Sequence, residues 1–414
     1  MSLLNDVANK KSLLVLIIDV TPKAWGEREL RRKVSDQKRL ASNKPSIGPA
    51  RLSSDLLPAI VTFLVAYASL HRENCAVVIA VAGNETAVIY PRKGGPNPKA
   101  SMVHMVNDSP EMCGTKVDAR TMHDMIHLGI AESVVRATER AEIAAAAKVS
   151  TSQGDGVTSS NTGNSLDNAT ARHNNRGSTS FSEDTDTAAI TAALSLALCC
   201  INRYVTSALG GISTSDLLLK RREDEGVLSM IESNHSNKKT NNNSTNSSRG
   251  GMGGDSAAHD IRAARGVPSS RILVLQATSD RTKDYNALMN CTFAAAKGEI
   301  LIDGCFFPMG VGKKETSTFL EQACDRTGGV YLAPTGAAQV EGALTQVLVS
   351  VFLPSNQARK QMNLPALTEV DFRSRCFETG ESVDIAYVCN SCLSIFKRKP
   401  AERCHTCGAY ATKA

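Results

Sequence analysis

Aromatic residues make up only 4% of this 414-residue chain, with a single tryptophan, so any core must be built mainly from Val, Leu, Ile and Ala. A strong excess of one charge is also lacking. Lys and Arg number 47 against 41 Asp and Glu, a net charge of +6 spread along the sequence, and so mild a surplus does not by itself imply avid nucleic-acid binding. Long apolar runs are scarce. The run over residues 13–18 ends at Asp19 with no small-residue cleavage site behind it, and nothing approaches the length of a membrane span. A disulfide framework is not indicated either. Cys75, Cys199, Cys200, Cys291, Cys305 and Cys324 sit in apolar segments, where a reduced thiol acts as a small hydrophobe. These absences lead us to expect a soluble intracellular protein without membrane contact.

The common catalytic signatures are missing as well. A dinucleotide site needs Gly-x-Gly-x-x-Gly after the first strand so that the backbone can approach a pyrophosphate. The chain reads Asp19-Val20-Thr21-Pro22-Lys23-Ala24-Trp25-Gly26 there. Gly312-Lys313 suggests a phosphate loop, but Phe307 stands where the first glycine belongs and Lys314 where a magnesium-binding hydroxyl belongs. No Gly-x-Ser-x-Gly elbow occurs. His123 and His127 lie four apart without the acid of the metalloprotease arrangement and read as solvated. The expectation is a protein that is not an enzyme.

What is present is an alternation of buried strands and helices. Residues 13–18 and 75–82 are continuously apolar, as strands of a parallel sheet covered on both faces are. Residues 86–90 form a third strand after a Gly83-Asn84-Glu85 turn, and 56–70 a helix with Ser53 or Ser54 as N-cap. Helical stretches follow at about 131–148 and 188–204. From 272 onward, strands at 272–277, 300–307 and 330–333 alternate with helices at 284–297, 315–326 and 337–352. This pattern predicts an α/β fold, a doubly wound and mostly parallel sheet with helices on both faces. Polar, low-complexity insertions are placed around 91–130, 150–187 and 205–268, because such stretches bury too little surface to offset the entropy of ordering. Residues 355–368 read as a linker, leaving 369–414 as a separate C-terminal module.

That module carries the clearest chemistry. Cys389-x-x-Cys392 and Cys404-x-x-Cys407 are two metal knuckles separated by eleven residues, and four thiolates suit one structural Zn2+ held tetrahedrally. Four protein ligands leave no open position for a catalytic water. Cys376 reads as a packing residue, and His405 is a spare potential ligand.

A second constellation begins at the strand-end Asp19, which opens the metal-ion-dependent adhesion motif of von Willebrand factor A-type (vWA) domains, Asp-x-Ser-x-Ser. Thr21 can replace the first hydroxyl. Lys23 cannot replace the second, since an ammonium only donates and repels a cation, so Mg2+ is not expected. Asp280 stands where such domains keep another acid, and an Asp19–Lys23–Asp280 ion pair is a metal-free alternative.

A vWA-like domain with a degenerate metal motif and a C-terminal four-cysteine finger resembles one family closely. It is the smaller vWA-containing subunit of the core of transcription factor IIH (TFIIH), the general transcription and nucleotide-excision-repair factor. The matching residues include Leu13-Leu14-Val15 through Asp19, Pro22, Trp25 and Gly26, then Ser270-Arg271-Ile272-Leu273-Val274, and Gln322-Ala323-Cys324-Asp325 with Thr327-Gly328-Gly329. Val351-Phe352-Leu353-Pro354 and Tyr387-Val388-Cys389-x-x-Cys392-Leu393-Ser394-Ile395-Phe396 continue the match, which covers about 10–90 and 187–410. The chain departs from the family after Cys376, where a second Cys and a His are replaced and Glu378 stands instead. The resemblance implies a nuclear, non-catalytic scaffold whose vWA domain binds the larger vWA/zinc-finger subunit that regulates the repair helicase, with direct DNA contact weak or absent. The alternative is a zinc-ribbon nucleic-acid binder using Arg373, Arg375, Lys397, Arg398, Lys399 and Arg403, set against a merely solvated basic face.

Overall fold

In a computed structural model, the described residues are 12–42, 48–71, 73–91, 119–152, 186–208, 268–309, 316–339, 341–364, 370, 372–379, 381–400 and 402–410. The central parts of the three expected insertions and the Gly312-Lys313-Lys314 segment lie outside them.

Six strands form one sheet in the order β3-β2-β1-β4-β5-β6. They are β1 (Ser12–Asp19), β2 (Cys75–Ala82), β3 (Glu85–Tyr90), β4 (Ser269–Gln276), β5 (Leu301–Phe306) and β6 (Tyr331–Leu332). All neighbours are parallel except β2 and β3, which the Gly83–Asn84 turn joins as a hairpin. Alternation along β1 explains the three layers. Leu14, Leu16 and Ile18 face one core with α2 (Leu57–Leu70), α3 (Ala119–Ser152) and α7 (Glu341–Val347). Leu13, Val15 and Ile17 face a second core with α4 (Ile190–Ala208), α5 (Tyr285–Lys297) and α6 (Thr318–Thr327). Both faces of the strand are buried, which is why its sequence is continuously apolar. The doubly wound, mostly parallel α/β architecture expected from the sequence is the one observed.

Several local expectations change. Helix α1 (Pro22–Ser42) follows β1 directly and is not among the elements the sequence pattern predicts. Pro22 sits at its start, a position where the missing N–H costs nothing. Neither Ser53 nor Ser54 caps α2. A π-type turn, Leu52–Leu56, precedes it, and Asp55 Oδ2 accepts from the Arg51 amide at 2.7 Å. Residues 119–130, placed in the first insertion, open α3, because Met122, Ile126 and Ile130 recur at four-residue spacing and are buried. Residues 205–208, placed in the third insertion, close α4, with Val205 in the core. The helix expected over 337–352 is divided into a tight turn (Gly336–Gln339), α7 and a π-type turn (Leu348–Phe352). Gly328 and Gly329 end α6: Gly328 is left-handed, at φ 72°, and a Cβ on Gly329 would lie 1.9 Å from the Ile302 carbonyl oxygen.

The expected linker is partly structured. Its first residues form α8 (Asn356–Arg359), capped by Ser355. Arg359 reaches back to Asp303 in the middle of β5, with Nη1 and Nη2 donating to the two carboxylate oxygens at 2.7 and 2.8 Å. Two helical stretches, Leu52–Leu70 and Ile190–Ser207, are long and apolar enough to cross a membrane, contrary to expectation. Each packs one face on the sheet, as core helices of this architecture must. Cys199, Cys200, Cys291, Cys305 and Cys324 are free thiols, whereas Cys75, expected to be one too, is disulfide-bonded.

The candidate metal centre and a closed acidic site

The C-terminal module is made of short hairpins: β7 (Ser374–Arg375) with β8 (Ser382–Val383), β9 (Tyr387–Val388) with β10 (Ile395–Phe396), and an Arg403–Tyr410 bridge. The last two hold the cysteine knuckles. In each, the first cysteine's amide donates to a carbonyl five residues on, Cys389 to Ser394 at 2.9 Å and Cys404 to Ala409 at 2.7 Å. The residue after the second cysteine donates back to the first cysteine's carbonyl, Leu393 to Cys389 and Gly408 to Cys404, both at 2.9 Å. The backbone thereby turns both sulfurs of each knuckle toward one point.

The Sγ atoms of Cys389, Cys392, Cys404 and Cys407 all lie within 4.8 Å of one another, the one such group of three or more metal-ligand side chains among the described residues. Cys389 and Cys407 sulfurs are 3.7 Å apart, and those of Cys392 and Cys404 3.6 Å. A disulfide would need about 2.05 Å. A zinc tetrahedron with bonds of about 2.3 Å has edges of about 3.8 Å, so these sulfurs fit that ion. Their protonation points the same way. Burial opposes ionisation of Cys392, but bonds from the Ser394 hydroxyl and amide and from neighbouring thiols bring it down to about 6. Cys407 receives a bond from the Ala409 amide, yet the surrounding thiols push it up to about 12. Sulfurs this close cannot all carry charge unless a cation lies among them.

Two further side chains separate here. His405 Nδ1 lies 3.2 Å from Glu378 Oε1 and its ring meets Phe396 edge-on, outside the sulfur group. Cys376 is buried, as expected, but it sits in a third turn of the same plan, with its amide donating to Glu381 at 2.9 Å and β7–β8 flanking it. Thr379 takes the place of a second cysteine. The Cys376 thiol is lowered: burial opposes this, and bonds from the Thr379 hydroxyl and the Lys397, Thr379 and Glu378 amides outweigh it. Cysteine spacing alone gave no signal for this knuckle.

Three basic residues of the module are engaged within it. Lys397 pairs with Glu381 at 2.6 Å, and Arg373 lies 3.8 Å from Asp384. Arg403 stacks on Tyr410 and donates to its hydroxyl.

The Asp19 site is closed in another way. Oδ1 accepts from the Thr21 amide at 3.0 Å and hydroxyl at 2.7 Å. Oδ2 accepts from the Ala277 amide at 3.0 Å, the Thr278 amide at 2.8 Å and the Thr278 hydroxyl at 2.7 Å. Five donors fill the four lone-pair directions of the carboxylate, so in this arrangement Asp19 offers a cation no free lone pair. Asp280 is likewise taken up: Oδ1 by Gln276 Nε2 and Ser317 Oγ, Oδ2 by Thr318 Oγ1 and the Phe319 amide. The alternative Asp19–Lys23–Asp280 ion pair does not form. Lys23 is on α1, which carries it outward to Asp186. His123 and His127 stack, with ring centroids 6.0 Å apart, and His123 contacts Asp124 at 3.1 Å.

The sequence model of a family described as "Transcription factor Tfb4" matches residues 11–408. General transcription factor IIH subunit 3 of Dictyostelium discoideum is 40% identical over 138 residues, 33% of this chain and 34% of its own length. General transcription and DNA repair factor IIH subunit tfb4 of Schizosaccharomyces pombe is 41% identical over 138 residues, 33% of this chain and 43% of its own. The chain thus spans about a third to two-fifths of the length of these curated relatives. A solved structure titled "Crystal Structure of the TFIIH p34 N-terminal Domain" superposes with a TM-score of 0.38 at 20% identity over 82% of this chain and 96% of that one, too loosely to carry an argument.

Proposed function

Since the chain belongs to the transcription factor Tfb4 family, we propose that it is a non-catalytic assembly subunit of the TFIIH core, acting in the nucleus in transcription initiation and nucleotide excision repair. Its vWA-type body, residues 10–354, is the part that binds the larger vWA/zinc-finger subunit of that core. Residues 355–368 connect it to a finger over 369–414 in which Cys389, Cys392, Cys404 and Cys407 hold one structural Zn2+. Bound there, zinc would supply cross-linking of the two knuckles. The residues themselves do the rest, turning four thiols to one point and keeping the metal's coordination sphere full.

One observation carries the non-catalytic reading: both places where chemistry could reside are closed by the chain itself. Asp19 spends every lone pair on protein donors, and the four sulfurs match a complete tetrahedron. What remains for function is surface complementarity. Tagging the full chain in its own organism and identifying what co-purifies tests the assembly reading. Recovery of the helicase-containing transcription and repair complex is expected; recovery of the chain without it would defeat the assignment. A titration against single- and double-stranded DNA near physiological salt accompanies it, with no measurable binding by the isolated chain expected.

A further inference from the structure

The two knuckles share a backbone plan but differ at one position. Leu393 and Gly408 are equivalent, each following the second cysteine, and both have positive φ, 60° and 76°. Glycine adopts that conformation freely, whereas a residue with a Cβ is strained in it. Folding supplies no reason for a leucine. Its side chain is 66% exposed and belongs to neither hydrophobic core. A strained backbone bearing a large apolar side chain in solvent is a mark of function rather than packing.

Other exposed apolar side chains lie in β9, the strand that enters this knuckle, and in the bend just before it. Ile385 is 90% exposed, Tyr387 52% and Val388 53%. Beyond β10, the exposed Arg398 and Lys399 give this surface a basic edge. We propose that Leu393, with Ile385, Tyr387 and Val388, forms a docking surface for a protein partner whose own face is apolar at its centre and acidic at its rim. Nucleic acid fits less well. Three of the four side chains are aliphatic and offer no stacking face. Of the nearby cations, Lys397 is engaged with Glu381 and Arg403 with the Tyr410 ring, 4.3 Å away, which leaves only the short Arg398–Lys399 edge to meet an acidic rim. The choice of probe below rests on the assembly reading; the surface itself is argued from Leu393.

The test uses the full zinc-loaded chain and the purified TFIIH core subunits of the same organism, assayed one at a time. Leu393→Gly is expected to weaken binding to one subunit at least tenfold, with zinc content unchanged and Tm unchanged or raised, because glycine relieves the positive φ. Leu393→Ala should weaken the same interaction without the gain in Tm, and Ile385→Ser should weaken it independently. Unchanged affinity in Leu393→Gly and Ile385→Ser overturns the proposal, as does a fall in the Tm of Leu393→Gly, which would make the side chain structural. Wild-type chain that binds no core subunit overturns the assembly reading, and this proposal with it. Oligonucleotide binding by the wild type that Leu393→Gly abolishes, with subunit binding intact, assigns the surface to nucleic acid instead.

Discussion

Replacing Arg359 with alanine would strand the most enclosed acid of any ion pair among the described residues. The Arg359 and Asp303 side chains are 6% and 1% exposed. The guanidinium makes two bonds to the carboxylate, at 2.7 and 2.8 Å, and a third to the Phe352 carbonyl at 3.1 Å. Asp303 keeps one other donor, the Val330 amide at 2.9 Å, and the more distant Arg271 guanidinium, which interacts with it electrostatically and holds the expected loss toward the lower end of the range. Removing one partner of such a pair costs about 3–5 kcal/mol because the other charge stays buried and uncompensated. At roughly 2–4 °C per kcal/mol for a body of this size, the melting temperature should fall by about 6–20 °C. Urea unfolding followed by circular dichroism, in zinc-replete buffer, reads the loss as a lower midpoint at unchanged slope. The double variant Asp303→Leu/Arg359→Met should recover most of it, less about 1 kcal/mol for the orphaned Val330 amide. A loss below about 1 kcal/mol, the size of a surface pair, would refute the reasoning, and so would a double variant as unstable as the single one.

Cys404→Ser should cut zinc affinity by orders of magnitude and unfold the finger, while the α/β body keeps its own transition; metal analysis and calorimetry check both, and full metal retention would contradict the proposed four-thiolate site. Lys23→Ser, which completes Asp-x-Thr-x-Ser, should still give no magnesium binding at millimolar concentration by titration calorimetry, because the lone pairs of Asp19 are already spent. Binding there would show that Lys23 alone closes the site. Gly329→Ala should cost about 1–3 kcal/mol or more by chemical denaturation, since its Cβ must displace the Ile302 carbonyl from a strand; a neutral result would mean that β5 yields more easily than its packing implies.

Much of this was legible from local pattern. Strand β2 falls where its apolar run predicts, residue for residue, and the ends of β4 and β5 shift by only one to three residues, because burial on both faces leaves an unmistakable sequence. The four cysteines were legible from two knuckles at metal-binding spacing. Helix α1 was not. Its 21 residues are rich in charge, and among its described side chains only Ala24, Trp25, Arg28 and Arg32 are buried, so the apolar period is carried partly by arginine. The start of α3 was obscured by a preceding polar stretch that hid the spacing of Met122, Ile126 and Ile130.

The sequence by itself determined the sheet, its helical layers and the thiol set of the finger, since each depends on residues close in the chain and on a repeat that burial imposes. Only the tertiary structure decided how the acids are used. Asp19 is saturated by Ala277 and Thr278, some 258 and 259 residues away, and Asp303 by Arg359, 56 residues on in what read as a linker. Strand pairing brings the first pair together, and α8 the second. A carboxylate's chemistry is set by which donors reach its lone pairs, and no local pattern records donors that distant. Leu393 shows the same division at the scale of one residue. The sequence placed it beside a knuckle cysteine, while the left-handed backbone and the exposed side chain, visible only in the fold, mark it as the proposed point of contact.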